Sequence, residues 1–333
     1  MGLYDTTNWQ KQKHGLNAVL SPPLFLSSYS LYLSKQTRNT DPSRLWSSWD
    51  FDKARGHLMA IQRQDGTDEV YRRGIVVASN VPRETYLEFC DGEPKVSVKH
   101  RLIDGKVIAH EIPLNPHSVV QGVLTGEIYT WNRCELDVMG ELDITVNTRD
   151  VYRPDACIQP QQRRQPPQRR AVNATGNPYP TMVIEIGSTE SLNSLHELAT
   201  GYFSPRTNIQ MYLAIKLFPR RQDRTFALLA LFYRRDQPNP TVPCIAKSFG
   251  TANLHISTTR FLLNIPNFPA NSLTGVGCGQ VACDGPNLPD YQLAIPTNLL
   301  FDDVPTGVPN GTPNDFFIDL WDIQRAYSRA LRR

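Results

Sequence analysis

The sequence predicts an α/β fold with a mixed central sheet, and three observations support this prediction. Two apolar runs, residues 151–158 and 181–186, have the composition of buried strands, and each contains one carboxylate. Two segments, residues 116–131 and 190–203, place apolar side chains at the spacing of an amphipathic helix. Strands that alternate with such helices are typical of a sheet covered by helices.

Bulk composition limits the function classes. The chain has 333 residues, 40% of them apolar and 20% charged, which is typical of a globular protein. The net charge of +3 is too small to indicate nucleic-acid binding by itself. The six cysteines are scattered without a CxxC pair, so we expect reduced thiols in an intracellular protein, nuclear or cytoplasmic. No apolar run is long enough to span a bilayer, so we expect no membrane association.

The first part of the chain divides into an extension and the start of the sheet. Residues 1–70 alternate short apolar pieces with polar loops and are assigned to an N-terminal extension. Strands are expected at residues 74–79 and 85–89. A hairpin follows over residues 96–112, with its turn at Asp104-Gly105, because this pair suits the positive φ values of a tight turn. The helix over residues 116–131 then packs on the sheet.

The middle of the chain supplies the carboxylate-bearing strands. The predicted order of elements is strand 141–146, strand 151–158, a polar Gln/Arg/Pro-rich loop 159–180, strand 181–186, helix 190–203, and a strand pair 209–218 and 225–233. Residues 71–237 are therefore assigned to one core domain.

Residues 238–333 form a third predicted region, rich in Pro and Gly with short strand-like pieces at 254–257, 261–265 and 293–295. It ends in an amphipathic helix. The sequence Thr312-Pro313-Asn314 resembles a helix N-terminus, and apolar residues from Phe316 to Leu331 follow at helical spacing.

Asp155 and Glu185 each interrupt a strand that otherwise resembles core. A buried carboxylate costs several kcal/mol unless it is paired, hydrogen-bonded or bound to a metal. Two carboxylates on adjacent strands repel each other unless a cation lies between them. We therefore predict that Asp155 and Glu185 together hold a divalent metal ion.

The element order from residue 116 to residue 218 resembles a known nuclease architecture. Helix, strand, strand with Asp, strand with Glu, helix and strand is similar to the αβββαβ core of the PD-(D/E)XK nuclease superfamily. Arg153-Pro154-Asp155 resembles its PD element. Residues 184–188, Ile-Glu-Ile-Gly-Ser, resemble the E-[VI]-x-S element of the family described as "putative restriction endonuclease". The resemblance covers about residues 98–220 and implies a restriction-endonuclease-like fold.

This resemblance also implies a chemistry: a metal-dependent endonuclease that hydrolyses DNA phosphodiester bonds with Mg²⁺ (or Mn²⁺). Asp155 and Glu185 would be its catalytic metal ligands, and Glu111 would be a further acidic residue, with Glu127 as the alternative. The superfamily lysine is missing, because its two usual positions hold Gly187 and Leu198. Lys216 on the following strand is the remaining candidate.

Nucleic-acid contacts are expected from the loop between the two carboxylate strands, which the resemblance places near the cleft. Arginine side chains suit phosphate groups and bind largely without sequence preference. The candidate contact residues are Arg163, Arg164, Arg169, Arg170 and His117. Nucleic acid is the expected partner, DNA favoured over RNA, and a homodimer is left open.

Two other interpretations stay open at the level of sequence. A catalytically degenerate nuclease fold would bind nucleic acid or a protein without cleavage, and the missing lysine favours it. A structural assembly protein would use the Pro-rich region after residue 237 as its interaction surface. The retained carboxylates favour the hydrolase.

Overall fold

The structure, a computed structural model, describes residues 49–62, 74–92, 95–166, 172 and 177–332. Residues 42–333 group into one compact unit. The helices are α1 (Phe51–Gln62), α2 (Arg83–Asp91), α3 (Asn115–Tyr129), α4 (Leu192–Tyr202), α5 (Ile256–Leu263), α6 (Thr297–Leu300) and α7 (Leu320–Ala330). The predictions for residues 1–48 and for Arg169 and Arg170 lie outside these described ranges.

The strands are β1 (Ile75–Ala78), β2 (Lys99–Ile103), β3 (Lys106–Glu111), β4 (Leu136–Met139), β5 (Ile144–Thr145), β6 (Val151–Tyr152), β7 (Ala156–Pro160), β8 (Met182–Gly187), β9 (Met211–Leu217), β10 (Ala227–Arg234), β11 (Ile245–Gly250), β12 (Leu273–Gly275), β13 (Gln292–Pro296) and β14 (Asp315–Asp319). They form a seven-stranded sheet in the order β12-β11-β10-β9-β8-β7-β4 and a five-stranded sheet in the order β1-β3-β2-β6-β5. Strands β13 and β14 pair separately.

The seven-stranded sheet is mixed, and apolar clusters cover both of its faces. Strands β8 and β9 run parallel, as do β11 and β12, whereas the other pairs are antiparallel. Because side chains alternate along a strand, Leu213 and Tyr212 of β9 enter opposite clusters. Helices α3 and α7 contribute to the first cluster, and α4 and α5 contribute to the second. The mixed α/β fold predicted from the sequence is confirmed.

Several predicted elements are confirmed individually. The hairpin forms as β2 and β3, and its turn residues Asp104 and Gly105 have φ values of 50° and 69°. Helices α3 and α4 and strands β8, β9 and β10 occupy the segments that periodicity indicates. These elements have strong local signals, since each combines a regular apolar pattern with a turn or cap.

Other elements are corrected. Residues 85–89 belong to helix α2, which begins after Pro82. Residues 261–263 are the last residues of helix α5 and do not form a strand. The neighbour of β7 in the large sheet is β4, at residues 136–139, not the segment 141–146. These segments are short and apolar, and for such runs the helix and strand patterns cannot be separated by periodicity.

The C-terminal helix begins later than the sequence indicates. Residues 315–319 form β14, which pairs with β13, and the helix N-cap is Asp319, whose carboxylate accepts a hydrogen bond from Trp321 N at 2.9 Å. The alternation of buried Phe316 and Ile318 with exposed Phe317 is a strand pattern.

The predicted boundary at residue 237 also falls inside one sheet, because β11 pairs with β10.

Among the residues that the structure describes, no helix combines the length and apolarity needed to cross a bilayer.

Candidate functional site

Asp155 stands at the junction between the two larger sheets. The predicted strand 151–158 is in fact two strands: β6 belongs to the five-stranded sheet and β7 to the seven-stranded sheet, and Pro154 lies in the break between them. Asp155 N donates to Ile184 O at 3.0 Å, and Asp155 Oδ2 accepts from Ile186 N at 2.7 Å. Asp155 is therefore held against β8 on both sides of Glu185, by its backbone N–H at Ile184 and by its carboxylate at Ile186.

Glu185 is buried beside a tyrosine and an arginine. Tyr202 Oη donates to Glu185 Oε1 at 2.6 Å, and Arg101 Nη2 lies 3.8 Å from the same oxygen. Only 1% of Glu185 is exposed. Burial raises the pKa of Glu185 to about 7, although Arg101 and Lys99 act in the opposite direction.

A lysine ammonium lies where the sequence predicts a metal ion. Lys99 Nζ of β2 donates to Asp155 Oδ1, and His117 Nε2 at the start of α3 lies 3.2 Å from that oxygen. Burial alone would raise the pKa of Asp155, but Lys99 and His117 outweigh it and hold this pKa well below its usual range. The charges of Asp155 and Glu185 in turn help to raise the pKa of Lys99, although burial opposes them.

A second buried pair lies next to the first. The guanidinium of Arg101 binds both carboxylate oxygens of Glu190, at 2.8 and 3.0 Å. His110 Nδ1 lies 3.0 Å from Glu190 Oε2, and Ser194 Oγ donates to Glu190 Oε1 at 2.6 Å. Burial would raise the pKa of Glu190, but Arg101 and His110 hold it well below the usual range. Arg101 and Glu190 therefore form a bidentate pair with two hydrogen bonds. With His110 and Ser194, the Glu190 carboxylate has four polar contacts.

An irregularity in the hairpin explains why these side chains converge. The register of β2 against β3 shifts between Lys99 and His100, where Lys99 pairs with Glu111 and His100 with Ala109. The extra residue on β3 is His110. A β-bulge re-aims neighbouring side chains, and here both His110 and Glu111 contact the loop after β8.

The other two predicted catalytic residues support that loop. Glu111 accepts the backbone N–H groups of Ser188, Thr189 and Glu190, the shortest contacts being 2.8 Å. Lys216 Nζ donates to the carbonyls of Ser188 and Glu190 at 2.9 and 2.8 Å. Both side chains are fully buried. These hydrogen bonds go to backbone groups of residues 188–190, so both side chains position the chain between β8 and α4.

Glu127, the alternative to Glu111, lies elsewhere. Its Oε1 accepts from Asp319 N at 2.9 Å, at the start of α7. This contact assigns Glu127 to the packing of α3 against the C-terminal region.

The described arginines of the loop after β7, Arg163 and Arg164, do not lie beside the carboxylates. Because β7 begins immediately after Asp155 and pairs antiparallel with β8, its far end lies opposite Met182, at the other end of the sheet. Arg163 is buried there, with its guanidinium 3.2 Å from Asp302 and 3.0 Å from Asn208 O. Arg164 is exposed beside Asp303 at the same end. His117 contacts Asp155 and is buried, so it is not placed to meet a phosphate at the surface.

The position of the superfamily lysine has no space for a side chain. A Cβ at Gly187 would lie 2.7 Å from Leu195 Cδ1 and 3.3 Å from Glu190 O. Leu198 lies in the apolar cluster with α4. Lys99 comes instead from the hairpin, as do Arg101 and His110, and none of these three was a sequence candidate. The sequence does offer one signal for them. Lys99 and Arg101 lie two positions apart on a strand, so their side chains point to the same face of the sheet.

The site does not fit a metal ion in the arrangement described. Asp155 and Glu185 have the oxygen chemistry that Mg²⁺ prefers. However, both oxygens of Asp155 are engaged by Lys99, His117 and a backbone N–H, and an arginine lies beside Glu185. In the described ranges no three His, Cys, Asp or Glu side chains converge as metal ligands.

Charge within the network is close to balanced. Its four carboxylates are Glu111, Asp155, Glu185 and Glu190, and its cationic side chains are Lys99, Arg101 and Lys216, with His117 as a fourth titratable group. Burial lowers the pKa of His117, but Asp155 outweighs it and the net shift is upward. By contrast, burial lowers the pKa of His110 to about 4, so this ring stays neutral at pH 7.

Glu185→Gln is expected to change how stability depends on pH. The pKa of Glu185 rises from 4.5 to about 7 on folding, so its contribution is greatest below pH 4.5 and is lost as the pH rises to 7. Relative to the wild type, Glu185→Gln should gain about 1–3 kcal/mol of unfolding free energy from pH 4.5 to pH 7. Urea unfolding at a series of pH values measures this difference. A difference that is constant with pH would show that folding does not shift the pKa of Glu185.

Comparison with known proteins gives a family match and matches to solved structures. Residues 83–236 match the model of the Uma2 family, described as "Putative restriction endonuclease". A crystal structure from Anabaena variabilis ATCC 29413, described as "a putative nuclease belonging to DUF820", is 19% identical. The match covers 53% of this chain and 89% of that chain, with a TM-score of 0.36. No curated protein matches the chain.

Proposed function

We propose, from the premise that residues 83–236 form a restriction-endonuclease-like domain, that the protein uses this nuclease-like fold to bind nucleic acid without hydrolysing it. The observation that carries the proposal is the Lys99 ammonium on Asp155. A protein cation already compensates the carboxylate that a catalytic metal ion would need.

Burial supports the same conclusion. Hydrolysis requires the scissile phosphate to approach the carboxylates and the group that activates water. Asp155 and Glu185 are each 1% exposed, and His117 beside them is also 1% exposed. A phosphodiester would have to displace Lys99 or His117 before it could reach either carboxylate. The buried charges then act as a structural core that fixes the hairpin, β8 and α4 together.

Metal-dependent hydrolysis of DNA remains the second candidate, and one specific observation favours it. Lys99 brings an ammonium group to the carboxylate pair, which supplies the lysine that neither Gly187 nor Leu198 can provide. For this function Lys99 would have to leave Asp155 when Mg²⁺ or Mn²⁺ binds.

A combined binding and nicking experiment separates the two functions. Supercoiled plasmid is incubated with the full chain and Mg²⁺ or Mn²⁺, and binding to a labelled duplex is measured in parallel with EDTA present. We expect salt-sensitive binding without nicking, because phosphate contacts weaken as salt rises. The matched control is Asp155→Asn, which retains the side-chain volume. Nicking by the wild type that Asp155→Asn abolishes would establish the hydrolase instead.

A further inference from the structure

The carboxylate site marks one end of the seven-stranded sheet, and this end carries a basic surface. Residues aligned across the strands are Gly187 of β8, Lys216 of β9, Leu229 of β10 and Ser248 of β11. We call this the site end of the sheet. Adjacent strands are about 4.8 Å apart, so β11 lies roughly 14 Å from β8 across the sheet.

A pocket of about 530 Å³ opens at the site end, next to β10 and β11. Its walls include Phe226 before β10, Thr251 after β11, and Trp321 of α7. This volume is in the range of pockets that bind small ligands or parts of larger ones. Three arginines of α7 and the turn that follows it also line the pocket: Arg325, Arg329 and Arg332.

These three arginines are exposed to solvent. They lie four and three residues apart, so they follow one face of the helix. No described carboxylate forms an ion pair with them, and Asp284 is the one acidic side chain among the described residues that line the pocket. The pocket rim is therefore clearly positive, which suits a polyanion.

Two contacts connect this basic rim with the rest of the site end. Asn115 Nδ2, at the start of α3, donates to Ala330 O at 3.4 Å, so the end of α7 adjoins the helix start that holds His117 beside Asp155. On the other side, Tyr327 Oη of α7 donates to Phe218 O at 2.7 Å, directly before the β9–β10 turn. The same turn exposes Arg220 and Arg224, so the basic surface continues from α7 to this turn.

We propose that Arg325, Arg329 and Arg332 hold the phosphate backbone of a nucleic acid at the pocket on α7, at the site end of the sheet. This assignment rests on the proposed function, since it names where the nucleic acid lies. It takes the place of the loop after β7, whose described arginines Arg163 and Arg164 lie at the opposite end. Helix α7 lies outside residues 83–236, so this surface comes from the C-terminal part of the chain and not from the matched domain.

The apolar part of the pocket adds a reason to prefer nucleic acid over a simple anion. Trp321, which is half-buried, lines the pocket together with the arginines, whereas Phe226 is buried in the core. An aromatic side chain beside cationic groups can contact a base or sugar while the arginines bind phosphate. Sequence preference is not expected, because phosphate contacts carry none.

The test compares two variants that lose the same charge at opposite ends of the sheet. Arg325→Gln/Arg329→Gln removes two arginines of α7. Arg133→Gln/Arg164→Gln is the control, since β4 begins opposite Pro160, at the far end, and both control arginines are exposed. Binding of a fluorescein-labelled DNA duplex and of its single strands is measured over a salt series with EDTA present. Thermal unfolding checks that both variants fold.

We expect Arg325→Gln/Arg329→Gln to weaken duplex binding by at least about tenfold and to reduce the salt slope by about 1.8, at about 0.9 per lost phosphate contact. The control variant should bind like the wild type. If the two variants bound DNA equally well, the assignment to α7 would be wrong. The proposed function would still hold in that case, provided that the wild type bound DNA. A wild-type chain that binds neither duplex nor single strand at low salt would overturn both.

Discussion

Arg101→Met should lower the unfolding free energy by about 3–5 kcal/mol, because it leaves two buried carboxylates without their shared cation. Arg101 is fully buried, its guanidinium binds both oxygens of Glu190, and it lies 3.8 Å from Glu185. Methionine has a similar length but no charge, so the change removes the ion pairs with little change in packing. Urea unfolding at pH 7 measures the loss.

Two controls separate charge from other effects. Arg149→Met breaks an ion pair with Asp104 in which both side chains are more than half exposed, so it should cost less than about 1 kcal/mol. Arg101→Met/Glu190→Gln removes the charge of the nearer carboxylate as well, and it should recover part of the loss. If Arg101→Met cost no more than Arg149→Met, the buried network would not support the fold.

Lys99→Met should destabilise the protein by about 3 kcal/mol and create a site that Mn²⁺ can occupy. Removing the ammonium leaves Asp155 and Glu185 without the cation that binds Asp155 Oδ1. A divalent ion can then take its place, since carboxylate oxygens are suitable ligands. Mn²⁺ at about a hundred times its dissociation constant should restore about 2.7 kcal/mol. Thermal unfolding with and without Mn²⁺ measures the effect.

Lys216→Met is the matched control for this experiment. Lys216 is equally buried, but its ammonium donates to the carbonyls of Ser188 and Glu190, whereas that of Lys99 donates to Asp155. We expect Lys216→Met to be destabilised without any response to Mn²⁺. Lys99→Met/Asp155→Asn should also lose the response. Stabilisation of all these variants to the same extent would mean that Mn²⁺ binds elsewhere.

The carboxylate pair could be predicted from sequence because its signals are local. Asp155 and Glu185 each stand in an apolar run, and antiparallel pairing of β7 with β8 brings them together. The cations could not be predicted in the same way. Arg101 and Glu190 are 89 residues apart, and their contact depends on the bulge at His110. A one-residue irregularity of this kind leaves no clear trace in an apolar pattern.

The position of the described start of the arginine-rich loop, with Arg163 and Arg164, could be predicted from the strand order. Asp155 precedes the strand β7, so a loop that follows β7 must leave the sheet at the end away from Asp155. The expectation that these two arginines lie near the cleft came from placing Asp155 inside one continuous strand, although Pro154 interrupts it. The strand order then shows which end of the sheet holds the carboxylates, and the arginines of α7 and of the β9–β10 turn lie at this end.

The most direct measurement is a titration of the wild-type chain with Mn²⁺, followed by the decrease of the free-ion signal in electron paramagnetic resonance. Because Lys99 already compensates Asp155, we expect no Mn²⁺ uptake that depends on this carboxylate, and identical curves for the wild type and Asp155→Asn. Stoichiometric uptake by the wild type that disappears in Asp155→Asn would contradict this expectation. It would show that Asp155 and Glu185 hold a metal ion and that Lys99 gives way to it.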